Sequence, residues 1–470
     1  MRSVNDAPRH PSLRDAAPAV FWLDDLQAPQ PEPRLEGHIE CDLAVVGGGF
    51  TGLWSALLAR ERNPSLSVVV LEARRVAAAA SGRNGGFCDA SLTHGFANGI
   101  SRFPAELDTL ERLGVENLDA IESTVRDHGI DCNFERTGMI DVATAKWQYT
   151  ELIEVAEAMR AHGYRVDALD PQAMRAQVAS PSYRGGLWVH DRTAIVNPAK
   201  LAWGLRRACL DAGVRFHENT AVQRLTPETE RIRLTTVHGS VAARRVALAT
   251  NADRPLLARV RPFILPVYDY VLVTEPLTST QLASIGWGNR QGISDSGNQF
   301  HYYRLTADSR ILWGGYDAIY HFGNRVDVEL EQRAKTFDKL AEHFFATFPQ
   351  LADLHFTHRW GGAIDTCSRF CVFWGTSHQR RVAYALGYTG LGVGASRFGA
   401  QVMLDLLEGR RTERTALRMV RTRPIPFPPE PFRYGVVQLT RWALDRADRN
   451  DGRRNLWLKA LDLAGVGFDS

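Results

Sequence analysis

Residues 42–52 read Asp42-Leu43-Ala44-Val45-Val46-Gly47-Gly48-Gly49-Phe50-Thr51-Gly52. An apolar strand runs straight into Gly-x-Gly-x-x-Gly, and an apolar helix follows at 53–59. A second strand, 66–71, ends at Glu72, twenty residues after Gly52. Strand, glycine turn, helix, strand and acid in this register form a dinucleotide-binding fingerprint. Gly47 permits the tight turn, Gly49 lets backbone approach a pyrophosphate, and Gly52 lets the helix pack against the strand. The helix start at Phe50 and Thr51 offers unpaired N–H groups and the positive end of a dipole to the phosphates. Glu72, followed by Ala73, accepts hydrogen bonds from the adenosine ribose, and an acid there disfavours a 2′-phosphate. A glycine turn with a purely structural role would not need that acid.

The next segment, Ala77-Ala78-Ala79-Ala80-Ser81-Gly82-Arg83-Asn84-Gly85-Gly86-Phe87, is built of small residues that let backbone lie against a large planar ligand. Its wording resembles the FAD-dependent oxidoreductases of the D-amino acid oxidase and glycine oxidase superfamily. It is most similar to the gamma-glutamylputrescine oxidase-like branch, whose Ser-Gly-Arg-Asn-Gly-Gly stands here at 81–86. Further segments carry the same resemblance: Ala249-Thr250-Asn251-Ala252, the segment at 266–277 with its strand at 266–274, Tyr302-Tyr303-Arg304-Leu305-Thr306 with Trp313-Gly314-Gly315, Trp360-Gly361-Gly362-Ala363-Ile364-Asp365-Thr366, and Gly387-Tyr388-Thr389-Gly390-Leu391-Gly392-Val393. The resemblance spans roughly residues 20 to 415. It implies noncovalent FAD held by Ser81, Arg83, Asn84, Gly85 and Gly86, with the backbone of Val222 on the adenine. It also places Gly362, Gly387, Gly390, Leu391, Gly392 and Val393 beside the flavin ring. Some sarcosine oxidases tether flavin to a cysteine near the position of Gly362. Cys367 lies several residues beyond it, and Arg83-Asn84 replaces the histidine that other relatives use.

A chain of 470 residues with 44% hydrophobic and 23% charged content reads as a globular protein of two domains. The net charge of +3 gives no reason to invoke nucleic acid. No segment has the length of apolar sequence that a membrane span needs, and no signal-peptide core precedes residue 34, so a cytoplasmic location is expected. The six cysteines, Cys41, Cys88, Cys132, Cys209, Cys367 and Cys371, form no disulfide or zinc pattern.

The expected fold is α/β, with a Rossmann-type FAD-binding domain interleaved with an antiparallel or mixed-sheet α+β substrate domain. Residues 1–40 read as an N-terminal extension anchored by Phe21-Trp22-Leu23. Segments 41–95, 190–260 and 356–415 read as the FAD-binding domain, and 96–189 with 261–355 as the substrate domain. Residues 416–470 form a C-terminal extension with an amphipathic helix near 435–463, free to dock on the body or on a partner. For an enzyme, deleting that tail is expected to leave activity intact.

Only one Gly-x-Gly-x-x-Gly is followed by an acid at the right distance, so a second nucleotide such as NAD(P)H is not expected. The electron donor is then a small molecule bound over the flavin, and an amine must be neutral to release hydride. An aromatic, water-poor pocket favours that state by desolvation. Tyr303, Arg304, His301 and Trp360 are the candidate catalytic residues, with Tyr268, Tyr270, Tyr302 and Trp313 as further walls. Arg304 is a candidate clamp for a substrate carboxylate, and His301 a candidate base. Strand alternation sets 301 and 303 on one face and 302 and 304 on the other, so one pair at most reaches the pocket. The leading reading is an amine or amino-acid oxidase or dehydrogenase. A hydroxyl substrate such as a hydroxy acid or glycerol phosphate, and a flavoprotein without turnover, are the alternatives. Sarcosine oxidases place a lysine near the flavin where this chain has Trp313, and Thr366-Cys367-Ser368-Arg369-Phe370-Cys371 departs from the relatives' Thr-x-Asp-x-x-Pro. Oxygen or another electron acceptor therefore both stay open.

Overall fold

The computed structural model describes residues 7–253, 255–463 and 465–466. The strand Gly37–Val46 is the centre of an eight-stranded sheet, pairing in parallel with Gly239–Leu248 on one side and Val68–Leu71 on the other. Val382–Leu386 and Arg215–His217 extend the parallel array. The sheet's apolar runs are buried on both faces, as parallel strands between helices require. Helices Phe50–Arg62, Pro198–Asp211 and Gly392–Glu408 cover one face through Leu53, Trp54, Leu57, Leu205, Val402 and Leu404.

A second sheet of nine strands forms the other layer. Its long strand Leu265–Thr274 pairs antiparallel with Ile311–Gly315 and with Phe356–Thr366. The helix Ala334–Thr347 buries Phe337, Leu340, Ala341 and Phe344 against the far face of this sheet. Phe337, Leu340 and Phe344 each contribute about 1.5–3 kcal/mol by leaving water. The strand Phe356–Thr366 was expected in the cofactor-binding segments, yet it pairs along its length in the nine-stranded sheet. The helix Leu107–Asp127 was grouped with the substrate segments. Its Leu110, Leu113, Leu118 and Ile121 instead join the core beside Gly392–Glu408. Apolar spacing shows that a helix buries one face, but not against which layer.

The N-terminal extension is pinned by Trp22, whose indole N–H donates to the Asn84 carbonyl at 2.9 Å. The amphipathic stretch expected as one helix near 435–463 is split between two helices, Phe432–Asp448 and Leu456–Leu463. Between them Asp451 and Gly452 take positive φ values of +50° and +73°, which turn the chain away from a helical path. No described helix is long and apolar enough to cross a membrane.

Candidate active site

One cavity of about 1700 Å³ runs from the glycine turn across the face of the nine-stranded sheet. That exceeds the roughly 300–1,000 Å³ of a usual small-molecule pocket, so a dinucleotide and a second molecule both have room. Its nucleotide end is built by Gly47, Gly49, Phe50 and Thr51, with Glu72, Ala73, Val222 and Thr250-Asn251-Ala252 beyond. Gly47 has a φ of +110°, and a Cβ there would strike the Ala249 carbonyl. A Cβ on Gly49 would lie 2.8 Å from Ser81 Oγ, which accepts the Phe50 N–H at 2.9 Å. The bare backbone is thus required where a pyrophosphate would lie against the start of the helix Phe50–Arg62. Glu72 accepts the Gly48 N–H at 2.6 Å and the Arg74 N–H at 2.9 Å. Two of its four lone-pair sites remain for ribose hydroxyls. Burial raises the Glu72 pKa, and those two backbone N–H groups oppose the rise. This end fits the adenosine and pyrophosphate of FAD.

The loop after Ser81 crosses to the second sheet. Arg83 pairs with Glu331 at 2.5 Å and donates to the Ala78 carbonyl at 2.8 Å. Asn84 donates to the Ala80 and Ser81 carbonyls and accepts the Gly86 N–H at 2.9 Å. Trp360 donates its indole N–H to the Arg83 carbonyl at 2.9 Å, so Trp22 and Trp360 grip adjacent residues of one loop. A Cβ on Gly85 would stand 2.7 Å from the Tyr302 ring. Gly362, Gly390, Leu391, Gly392 and Val393 line the cavity opposite, with the positive end of the helix Gly392–Glu408 beside them. Asp365 accepts the Gly387 N–H at 2.6 Å and fixes the start of that loop. Burial pushes its pKa up to about 7 against the backbone N–H groups that lower it.

Gly52, Gly86 and Gly387 lie off the cavity wall and act on the backbone around it. A Cβ on Gly52 would strike the Gly47 carbonyl, one on Gly86 the Val196 carbonyl, and one on Gly387 would lie 2.9 Å from Cys367.

The substrate end is a single row across the sheet. Trp360 pairs with Val271, Val271 with Gly314, Gly314 with Tyr302, Tyr302 with Ser294, and Ser294 with Asp141. Asp269 lies two residues from Val271 on the same face and accepts the Tyr302 hydroxyl. Burial pushes the Asp269 pKa up to about 6, while the Tyr302 hydroxyl and the Tyr270 and Gly315 N–H groups hold it down. Burial, then the Asp269 charge, raises the Tyr302 phenol well above its usual range, so it stays neutral. Asp141 also faces the cavity, and its pKa is pushed up to about 7 by burial and then by Asp89.

Of the four candidate catalytic residues, only Trp360 lines this cavity. Tyr303 points to the opposite face, bonds the Tyr183 hydroxyl at 2.7 Å and packs on Trp313 and Phe348. His301 shares that face, held between Asp295 at 2.6 Å and His343 at 2.9 Å. Arg304 is on the right face, but Gly86 and Val196 stand over it. It donates to the Val196 carbonyl at 2.7 Å, and burial lowers its pKa to about 9. It is not placed to clamp a substrate. Trp313 and Tyr270 likewise belong to the core behind the sheet. Sequence reasoning passed over Asp269, although an acid amid the apolar alternation Val267, Asp269, Val271 was a readable signal. The C-terminal extension was expected to dock on the body or on a partner. It docks on the body, where its helix Phe432–Asp448 and the segment 425–428 line the cavity.

The model of a family described as FAD dependent oxidoreductase matches residues 42–406. The chain is 33% identical over 390 residues to the gamma-glutamylputrescine oxidoreductase of Escherichia coli (strain K12), covering 81% of this chain and 86% of that one. It is 27% identical over 405 residues to the probable oxidoreductase OrdL of Haemophilus influenzae, covering 83% of this chain and 88% of that one. The fold is similar to the crystal structure of glycine oxidase from Geobacillus kaustophilus, with a TM-score of 0.68 and 20% identity, covering 82% of this chain and 100% of that one.

Proposed function

The chain belongs to the family of FAD dependent oxidoreductases, and from that premise we propose that it oxidises a C–N bond of an amine or amino acid. The product is an imine, which water hydrolyses to an aldehyde or keto acid. FAD is the cofactor, and when bound it supplies the hydride acceptor. The observation that carries the reading is the Asp269–Tyr302 pair on the cavity floor, across from Gly85 and near Gly362. The Tyr302 hydroxyl donates its hydrogen bond to Asp269, so its lone pairs are free to accept an N–H from a substrate amine. Asp269, ionised above about pH 6, keeps the phenol in that orientation. Trp360, Val271 and Phe87 line the same cavity with apolar surface. Desolvation there favours the neutral amine over the ammonium, the form that releases hydride.

Noncovalent attachment of FAD is part of this proposal. Cys367 is buried off the cavity wall, with its thiol on the Cys371 carbonyl at 3.1 Å. The test is anaerobic mixing of the FAD-loaded protein with a panel of amines, amino acids and hydroxy acids while flavin absorbance is followed. Bleaching by an amine or amino acid supports the proposal. Bleaching by lactate or glycerol phosphate and by no amine overturns it.

A further inference from the structure

The family match ends at residue 406, yet the cavity is closed by residues beyond it. The helix Phe432–Asp448 turns Arg433, Val437, Arg441 and Leu444 toward the cavity, three or four residues apart along one face. Both its ends are fastened to the rim of the nine-stranded sheet. Asp448 accepts the N–H groups of Asn298 at 2.9 Å and Gln299 at 3.1 Å. At the other end Glu430 accepts the Gly323 N–H at 3.0 Å, and Arg433 donates to Asn324 Oδ1 at 2.8 Å. Seventeen residues between these anchors make a bar about 25 Å long across the mouth.

The arginines around the cavity differ in one respect. Arg83 is paired with Glu331, Arg192 with Glu111 at 2.8 Å and Arg454 with Asp462 at 2.6 Å. Arg74 is exposed at the adenosine end. Arg441 lies mid-helix and half-buried, and its guanidinium has no hydrogen bond or ion pair among the described residues. A partner was within reach of the helix geometry, since Asp445 stands four residues on. That carboxylate bonds Arg449 at 2.9 Å instead. A half-buried guanidinium on the cavity wall, without a protein partner among the described residues, is suited to a bidentate carboxylate from a ligand.

We propose that Arg441, supplied by the C-terminal extension, is a specificity-determining residue that binds a carboxylate at the end of the substrate remote from the oxidised C–N bond. This rests on the amine-oxidation reading for the identity of the other end. Asp269 and Tyr302 hold the amine from the sheet, and Arg441 holds the acid from the helix that closes the mouth. The substrate class is an amine carrying a distal carboxylate, and a simple alkylamine leaves the guanidinium unanswered.

The test is calorimetric titration of the FAD-loaded full chain with hexanoate and with its uncharged analogue hexanamide, which needs no turnover. Wild type is expected to bind hexanoate more tightly than hexanamide. Arg441→Gln should weaken hexanoate by about ten- to a hundredfold, the value of charge-assisted hydrogen bonds, and leave hexanamide unchanged. Arg441→Lys keeps the charge, guards against a folding defect, and should lose less. Arg446→Gln, at an exposed arginine that stacks on Trp442, should change nothing. Equal hexanoate affinity in Arg441→Gln and wild type, or no preference of wild type for hexanoate, overturns the assignment. Loss of hexanoate binding in Arg441→Gln from a protein that oxidises no amine would keep the assignment and sink the amine-oxidation reading.

Discussion

Replacing Tyr302 with Phe should move the acid limb of substrate oxidation to higher pH. The Tyr302 hydroxyl donates to Asp269, and that bond helps keep the Asp269 pKa near 6 against burial. A hydrogen bond to a charged group contributes about 1.5–3 kcal/mol. At about 1.4 kcal/mol per pH unit, its loss raises the pH at which Asp269 ionises by about one to two units. The sign follows from the carboxylate, which takes up a proton as pH falls through its pKa and then no longer stabilises the cation formed as hydride leaves the amine. The assay is the rate of flavin reduction under anaerobic conditions from pH 5 to 10, with two amines of different basicity. A limb near pH 6 that ignores the amine's own basicity should appear in wild type and shift upward in Tyr302→Phe. At high pH, where Asp269 is ionised in both proteins, the loss should shrink to that of one neutral hydrogen bond, about two- to tenfold. Tyr303→Phe is the control, because its hydroxyl bonds Tyr183 behind the sheet. An unmoved limb in Tyr302→Phe, or an equal shift in Tyr303→Phe, would refute the reasoning.

Gly49→Val should abolish FAD retention, because even its Cβ would crowd Ser81 Oγ at 2.8 Å against the helix start. The measure is the flavin-to-protein ratio after purification, and a normal ratio would move the pyrophosphate site elsewhere. All six thiols are buried, and burial raises the pKa of Cys41, Cys132 and Cys367 to about 12. Iodoacetamide at pH 8 should therefore leave the native protein unlabelled by intact mass and modify it fully in denaturant. Rapid native labelling at Cys367 would contradict the packing described.

The dinucleotide half of this protein is local chemistry, and for that reason it stands in the sequence. The turn at Gly47, the helix start at Phe50 and the acid at Glu72 lie within a short run of chain, where spacing alone sets geometry. The alternation of a strand over 301–304 was legible, and it separated Tyr302 and Arg304 from His301 and Tyr303. It did not say which pair faces the cavity, because period two gives two equivalent faces until a helix packs on one. The helix Ala334–Thr347 takes the face of Tyr303 and Trp313, and the cavity takes the face of Tyr302 and Asp269. Nor could spacing show that Gly86 and Val196 cover Arg304, since 218 and 108 residues respectively separate them from that arginine in sequence while packing brings them into contact. The tail was hardest to read. Its helix has an apolar face that suits many surfaces equally, and only the anchors at Glu430, Arg433 and Asp448 decide that the surface is the cavity's own mouth.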